Sequence, residues 1–227
     1  MESSFMLKPK DNFLSFTASL LPRFELAPLA QASHIARFIE QGYADRYQAE
    51  ISVSMPLLLQ LRFAGKTAAI GIRRATEPLF LEHYLDAPIE SYATAHIGEI
   101  NREQIVEYGS LFSNGRNLST PLFMLSTLAL VHQNVKALAF CATHKVASIL
   151  ERYGLKLIKL VKAEAKRLPN QGENWGSYYR TNPHVYLLSL DQLNQVIRNR
   201  TKYLQLYRFL SPAIGRLANK FEARFTC

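Results

Sequence analysis

The chain is poor in cysteine: Cys141 and Cys227 are the two in 227 residues. That excludes a disulfide framework, and neither lies in a CxxC or Cys/His spacing of the kind that holds zinc, so no metal is expected. Long apolar runs are also missing. None approaches the roughly 18 to 20 residues that a membrane-crossing helix needs. The sequence contains no GxSxG, HExxH or GxxxxGK[ST], so hydrolase-elbow, zinc-protease and Walker-type phosphate chemistry have no local support. Acidic residues are scarce relative to basic ones: 18 Asp plus Glu against 27 Lys plus Arg leave a net charge of +9. Such an excess favours partners that carry anionic groups, namely phosphates, acidic lipid heads or a nucleotide-like cofactor. Nucleic acid has the net charge behind it but no recognisable binding module, and is not expected as a partner. What is abundant is apolar residues, 48% of the chain, enough for a substantial core.

Near the start, Lys8 and Lys10 precede Phe13 to Leu21, and Ala30-Gln31-Ala32 has the form of a cleavage site. Leu14, Phe16, Ala18 and Leu20 nevertheless alternate with Ser15, Thr17 and Ser19, a period of two that suits a half-buried strand better than a signal core. A cytoplasmic location is the expectation, with secretion or membrane association left open. Phe24 to Leu29 reads as a strand, followed by Ser33 as N-cap of an amphipathic helix with Ile35, Phe38, Ile39 and Tyr43 at helical spacing. Leu57 to Phe63 and Thr67 to Ile72 form a hairpin about Ala64-Gly65-Lys66. Pro78 opens a short helical segment, Leu79 to Tyr84, which Pro88 interrupts.

The middle of the chain alternates regularly. Ile105 to Phe112 is strand-like, Ser113 to Asn117 a turn, and Thr120-Pro121 the cap and first turn of a largely apolar helix to about His132. Lys136 to Cys141, Val146 to Tyr153 closed by Gly154, and Leu155 to Leu160 continue as strand, helix, strand. The strands at Ile105 and Lys136 should be parallel, with the apolar helix crossing over one sheet face. Lys166 to Tyr179 has no periodicity and reads as a long, functional loop ordered by Trp175, Tyr178 and Tyr179. Val185 to Leu190 is a last strand, and two basic amphipathic helices follow, the second beginning at Ser211-Pro212. The division expected is a catalytic-type domain over 1–190 and a helical extension over 191–227.

A strand that turns through glycine into a helix N-terminus gathers unpaired amides and the positive end of a helix dipole, which suits an anion. The turn from Ser113 to Leu118 has that form. Gly115, Arg116, Asn117 and Leu118 are candidate cofactor-binding residues, with the Arg116 guanidinium able to meet a phosphate; an ordinary turn with an exposed arginine has the same pattern. Glu107, on the strand before it, either takes a proton from an amine in the cleft or is a solvated edge charge. His144, at the end of the next strand, either faces a ligand or stands exposed while Thr143 caps the helix. Cys141, within an apolar strand, reads as a small core residue. Trp175, Tyr178 and Tyr179 either line a substrate pocket or pin their loop. The basic C-terminal helices suit an anionic membrane surface, or packing on the domain.

Glu107-Tyr-Gly-Ser-Leu, Phe140-Cys-Ala-Thr143, Asn174-Trp-Gly-Ser-Tyr-Tyr179 and Asn182-Pro183 resemble the bacterial thermostable haemolysin family, over roughly Ser33 to Leu190. That family is similar in organisation to the GNAT N-acyltransferases, including acyl-homoserine-lactone synthases. The resemblance implies an α/β (α+β) fold with a mixed, twisted sheet flanked by helices and an acyl donor wedged where two central strands splay apart. It also implies that Glu107, Ser110, Arg116, Asn117 and Thr143 face the reaction cleft, with Glu107, Ser110 and Thr143 as the catalytic set. The turn departs from the usual Q/R-x-x-G-x-G/A pattern in lacking a second glycine. The implied donors are acyl-CoA, a carrier-protein thioester or an acyl-adenylate, and the implied acceptor an amine. Lys156, Lys159, Lys162, Lys166 and Arg167 suit an acidic carrier protein. A membrane-active haemolysin working through the C-terminal helices is the alternative.

Overall fold

The computed structural model describes residues 22–115 and 118–225. The expected strand at Leu14 to Leu20, the turn residues Arg116 and Asn117, and Cys227 lie outside them. Seven strands make one sheet: β1 (Arg23–Pro28), β2 (Leu57–Phe63), β3 (Lys66–Arg74), β4 (Ile105–Ser113), β5 (Ala137–Ala142), β6 (Ile158–Lys162) and β7 (His184–Ser189), in spatial order β1-β2-β3-β4-β5-β7-β6. The first four are antiparallel neighbours, β4 and β5 are parallel, and β7 runs antiparallel between β5 and β6.

Six helices flank the sheet among the described residues: α1 (Ser33–Tyr47), α2 (Ile89–Ile97), α3 (Ser119–Val131), α4 (His144–Arg152), α5 (Leu190–Arg198) and α6 (Thr201–Phe225). Strand alternation assigns them to faces. In β4 and β5, Val106, Tyr108, Leu138 and Phe140 point into a core shared with α3, α4, α5 and α6. Ile105, Ala137 and Ala139 point the other way, towards the segment around α2, while Leu58 and Ala69 on the same side pack beneath α1. The crossover from β4 through α3 to β5 produces the parallel pair that the alternation of elements predicts.

Several boundaries differ from the sequence reading. Ser33 is the first residue of α1, with Ala32 before it and no side-chain cap. Likewise α3 starts at Ser119 behind Leu118, so Thr120 is already helical, while Pro121 keeps its place in the first turn, where its missing N–H costs nothing. Leu79 to Tyr84 tightens into a 3-10 turn over Phe80–Tyr84. Pro88 does not end a helix but precedes one, α2, whose first amide at Ile89 donates to Glu82 Oε1 at 3.1 Å. Ser211-Pro212 is not a boundary: α6 continues through Pro212, held by burial of Ile214, Leu217, Ala218 and Phe221 against the α3 side of the sheet. The long loop after β6 is ordered as three short 3-10 turns.

One irregularity positions the site. β4 pairs with β5 from Ile105↔Ala137 to Tyr108↔Phe140 and no further, while β4 continues to Ser113 along β3. The two strands therefore diverge beyond Tyr108 and Phe140. At the same point the β3–β4 register jumps, with Gly71 opposite Gly109 but Ala69 opposite Phe112. The extra residue is taken up as a bulge in which Ser110 has φ 52°, a left-handed conformation that non-glycine residues seldom adopt.

Candidate functional site

A cavity of about 130 Å³ opens in that divergence. Its strand-borne lining is Glu107 to Leu111 from β4 and Cys141 to Thr143 at the end of β5. Phe123 of α3, Phe140 and Val146 of α4 close it on one sheet face. On the other, Tyr43, Tyr47, Phe80, Tyr84, Trp175 and Tyr178 surround it. The ring centroids lie close: Trp175 is 5.2 Å from Tyr178, 5.8 Å from Phe80 and 6.1 Å from Tyr43.

Glu107 points to this aromatic side and is 3% exposed. Its carboxylate accepts hydrogen bonds from the amides of Phe80 at 3.0 Å and Leu81 at 2.8 Å, and Arg73 approaches to 3.7 Å. Arg73 is itself fixed by donating to the carbonyls of Ser54 at 2.7 Å and Pro78 at 3.2 Å. Burial pushes the Glu107 carboxyl up to about 6, against the pull of the two amides and Arg73. Near neutral pH it is therefore mostly ionised yet within reach of proton transfer. The solvated-edge alternative does not hold, because the pleat that sends Ile105 into the core sends Glu107 the same way.

The aromatic loop is fastened to the end of α1. The Ser177 amide and hydroxyl both donate to the Tyr47 carbonyl, at 2.8 and 3.1 Å, and the Glu50 amide donates to Asn174 O at 2.7 Å. Gly176, at φ +51°, leaves no room for a Cβ, which would collide with the carbonyl oxygens of Tyr47 and Gln48. So Trp175-Gly-Ser-Tyr178 both pins its loop and faces the cavity. Trp175 and Tyr178 line it, whereas Tyr179 does not, its hydroxyl being bonded to that of Tyr84 at 2.6 Å.

Ser110 and Thr143 line the cavity, and the Thr143 side chain also accepts the Val146 amide at 3.4 Å as the cap of α4. Cys141 lines it too, its thiol 3.8 Å from the Tyr178 hydroxyl and pushed up to about 12 by burial, which removes it as a nucleophile. His144 is exposed on the first turn of α4, away from the lining.

The Ser113–Leu118 turn differs from expectation. Gly115 and Leu118 do not line the cavity. Their amides are already paired, Gly115 with Ser113 Oγ at 3.1 Å and Leu118 with Gly115 O at 3.4 Å, and Asn114 donates to Thr67 O at 3.1 Å. Gly115 is required for close approach rather than for its dihedral angles, since a Cβ there would sit 2.8 Å from Lys66 Cβ. The Gly115 and Leu118 amides are thus already occupied by neighbouring protein atoms. No group of His, Cys, Asp and Glu among the described residues could hold a metal ion.

Sequence reading missed the walls contributed by Tyr43, Tyr47, Met55, Phe80 and Tyr84. Tyr43 and Tyr47 lie one turn apart on α1, a spacing visible in the sequence, but nothing local signals that they face β4. Met55 lies across Gly71 and Gly109, where the missing side chains leave its space.

A family model described as thermostable hemolysin matches residues 28–193. Among solved structures, FeeM, an N-acyl amino acid synthase from uncultured soil microbes, is 13% identical with a TM-score of 0.50, over 75% of this chain and 93% of its own. The AHL synthase LasI is 12% identical at TM-score 0.48, over 75% and 91%. The CoA-dependent acyl-homoserine lactone synthase BjaI, solved with SAM and isopentyl-CoA, is 11% identical at TM-score 0.48, over 86% and 90%. No curated protein sequence matches. At 13% identity and a TM-score of 0.50, the likeness to FeeM is one of fold.

Proposed function

Because the chain belongs to the thermostable haemolysin family, and its cavity lies where β4 and β5 part, we propose that it is an N-acyltransferase, moving an acyl group from an activated donor to an amine. The observation that carries this is the position of Glu107: a buried carboxylate, with its carboxyl raised to about 6, beside a cavity that passes between two strands. A donor enters from the α3 and α4 side, with its phosphate towards Arg116, Asn117 and the N-terminus of α3 and its acyl carbonyl between Ser110 and Thr143. The amine enters from the aromatic side.

In the reaction, the amine nitrogen bonds to the acyl carbon, and the bond from that carbon to the donor's sulfur, or to oxygen in an adenylate, breaks. The leaving group departs as thiolate or phosphate, and Glu107 takes the proton lost by nitrogen. The interrupted ladder at Gly109–Leu111 is the place where backbone donors would meet the carbonyl oxygen. CoA thioesters, carrier-protein thioesters and adenylates all satisfy this geometry. Exposed Lys156, Lys159 and Lys162, on and beside edge strand β6, suit an acidic carrier, while Lys166 and Arg167 are engaged with Glu164 and Asp86.

The test is direct. Purified protein is given octanoyl-CoA or an octanoyl carrier protein with a panel of amines, and thiol release and N-octanoyl products are followed by mass spectrometry. Turnover is expected with at least one donor. Glu107→Gln should lower kcat by about 100-fold, and Arg116→Ala should weaken donor binding by about tenfold. Thiol release without amide formation would show a thioesterase and overturn the proposal.

A further inference from the structure

We propose that the acceptor is a cationic amine without a carboxylate: the aromatic chamber is shaped for an ammonium on an apolar body, not for an α-amino acid. This rests on the acyl-transfer reading in taking the amine as acceptor: it binds as ammonium, gives one proton to solvent before nitrogen attacks, and gives the second to Glu107 as the amide forms.

The cavity inverts the sign of the molecule's net charge. The protein carries +9 overall, yet among the described residues that line the cavity Glu107 is the sole charged side chain. No lysine, arginine or histidine joins it. A ligand carboxylate would have to leave water without a cationic partner and lie near a buried carboxylate, which costs several kcal/mol or forces protonation. An ammonium meets the opposite conditions. Six aromatic rings, from Tyr43, Tyr47, Phe80, Tyr84, Trp175 and Tyr178, surround the space, and the ring faces attract cations. Glu107 adds a full negative charge on the same side.

Arg73 tempers this charge from 3.7 Å through Nη1, which also donates to the Pro78 carbonyl, while Nη2 donates to the Ser54 carbonyl; its buried Nε has no hydrogen-bond partner, and the side chain does not line the cavity. Because Arg73 stands outside the lining, a carboxylate in the cavity meets no cationic side chain there. The hydroxyls of Ser52 and Ser54 at the chamber wall supply neutral polar contacts only. A site of this kind discriminates by rejecting the wrong charge as much as by attracting the right one.

Three probes of one skeleton separate the contributions: tyramine as the cation, L-tyrosine as the same amine with a carboxylate, and 4-ethylphenol as the neutral body. Each is titrated calorimetrically into the full chain near pH 7.5 without donor. Tyramine is expected to bind about tenfold or more tighter than either of the others. Glu107→Gln should remove most of that ratio. Because Glu107 also ties the Phe80 and Leu81 amides, Phe80→Leu provides a second variant that keeps those backbone bonds; its tyramine to 4-ethylphenol ratio should fall about threefold. Tyrosine binding as well as tyramine, a ratio unmoved by both variants, or no binding by any probe overturns the inference. Acylation confined to tyrosine overturns it while leaving acyl transfer standing, and tyramine preference without acylation of any amine does the reverse.

Discussion

At the level of single residues, Glu107 ties stability and the proposed proton transfer together with opposite signs. Its folded pKa of about 6 exceeds the ordinary 4.5 because burial disfavours the charged form. Its protonation thus contributes stability that is fully present below about 4.5 and is lost as pH rises through about 6. Urea titrations at about pH 4.5 and pH 7.5 should show the wild type losing stability relative to Glu107→Gln over that interval. Acyl transfer should instead rise through about pH 6, as the carboxylate needed to accept the proton forms. Gly176 is the second such residue. Its left-handed backbone and the Tyr47 and Gln48 carbonyls leave no space for a methyl group, so Gly176→Ala should cost about 2 kcal/mol or more and lower Tm by about 4–8 °C in scanning calorimetry.

Elements are held at two places by devices that local propensity does not supply. The 3-10 turn and α2 meet at Glu82, which accepts the amides of Leu79 at 3.0 Å and Ile89 at 3.1 Å while Arg102 grips it at 2.7 and 2.8 Å and Glu90 at 2.5 Å. Burial pushes the Glu82 carboxyl up, but Arg102 and the two amides outweigh it and hold the group at about 2. That stabilisation is present above about 4.5 and is lost as pH falls towards 2. Arg102→Ala should reduce stability at neutral pH by about 1 kcal/mol after solvent screening, and flatten the acid limb of an unfolding profile measured by circular dichroism. In α6, Pro212 breaks the helical ladder by withholding an N–H from the Arg208 carbonyl, yet the helix continues because its next turns are buried. Pro212→Ala should therefore stabilise the protein, by about 1–3 kcal/mol, readable in urea midpoints at unchanged m.

For the whole molecule, the docking of α6 bears on the lytic reading. The apolar stripe Ile214, Leu217, Ala218 and Phe221 that would enter a lipid surface is at most 5% exposed, and it covers the core on the α3 side. No helix among the described residues is long and apolar enough to cross a membrane. Inserting the stripe would mean undocking the helix and exposing that core. The full chain is expected to release no dye from anionic vesicles at temperatures where its circular dichroism is native. Deleting Tyr203 to Cys227 should collapse cooperative unfolding, since the α3 side of the sheet loses its cover.

Much of this architecture was legible in the chain itself. The β2–β3 hairpin, the β4–α3–β5 crossover and the Gly154 stop after α4 follow from period, turn chemistry and handedness, which are local quantities. That Trp175 and Tyr178 order their loop was legible in their composition, and they do so in the structure. Helix ends were not, because Ser33 and Thr120, expected as caps, are already helical behind Ala32 and Leu118, which carry no capping side chain. Nor was the wall of the cavity. Phe80 and Tyr84 join Tyr43 and Trp175 only because Glu107 reaches across to the Phe80 and Leu81 amides and Ser177 reaches back to the Tyr47 carbonyl. The sequence by itself determined most of the strands and helices, though not α2 behind Pro88, and picked out Glu107 and the Trp175 loop as candidates. The tertiary structure alone decided that one buried carboxylate meets a ring of aromatics in the gap between β4 and β5, because contacts between distant segments depend on how the sheet splays, which no local pattern encodes.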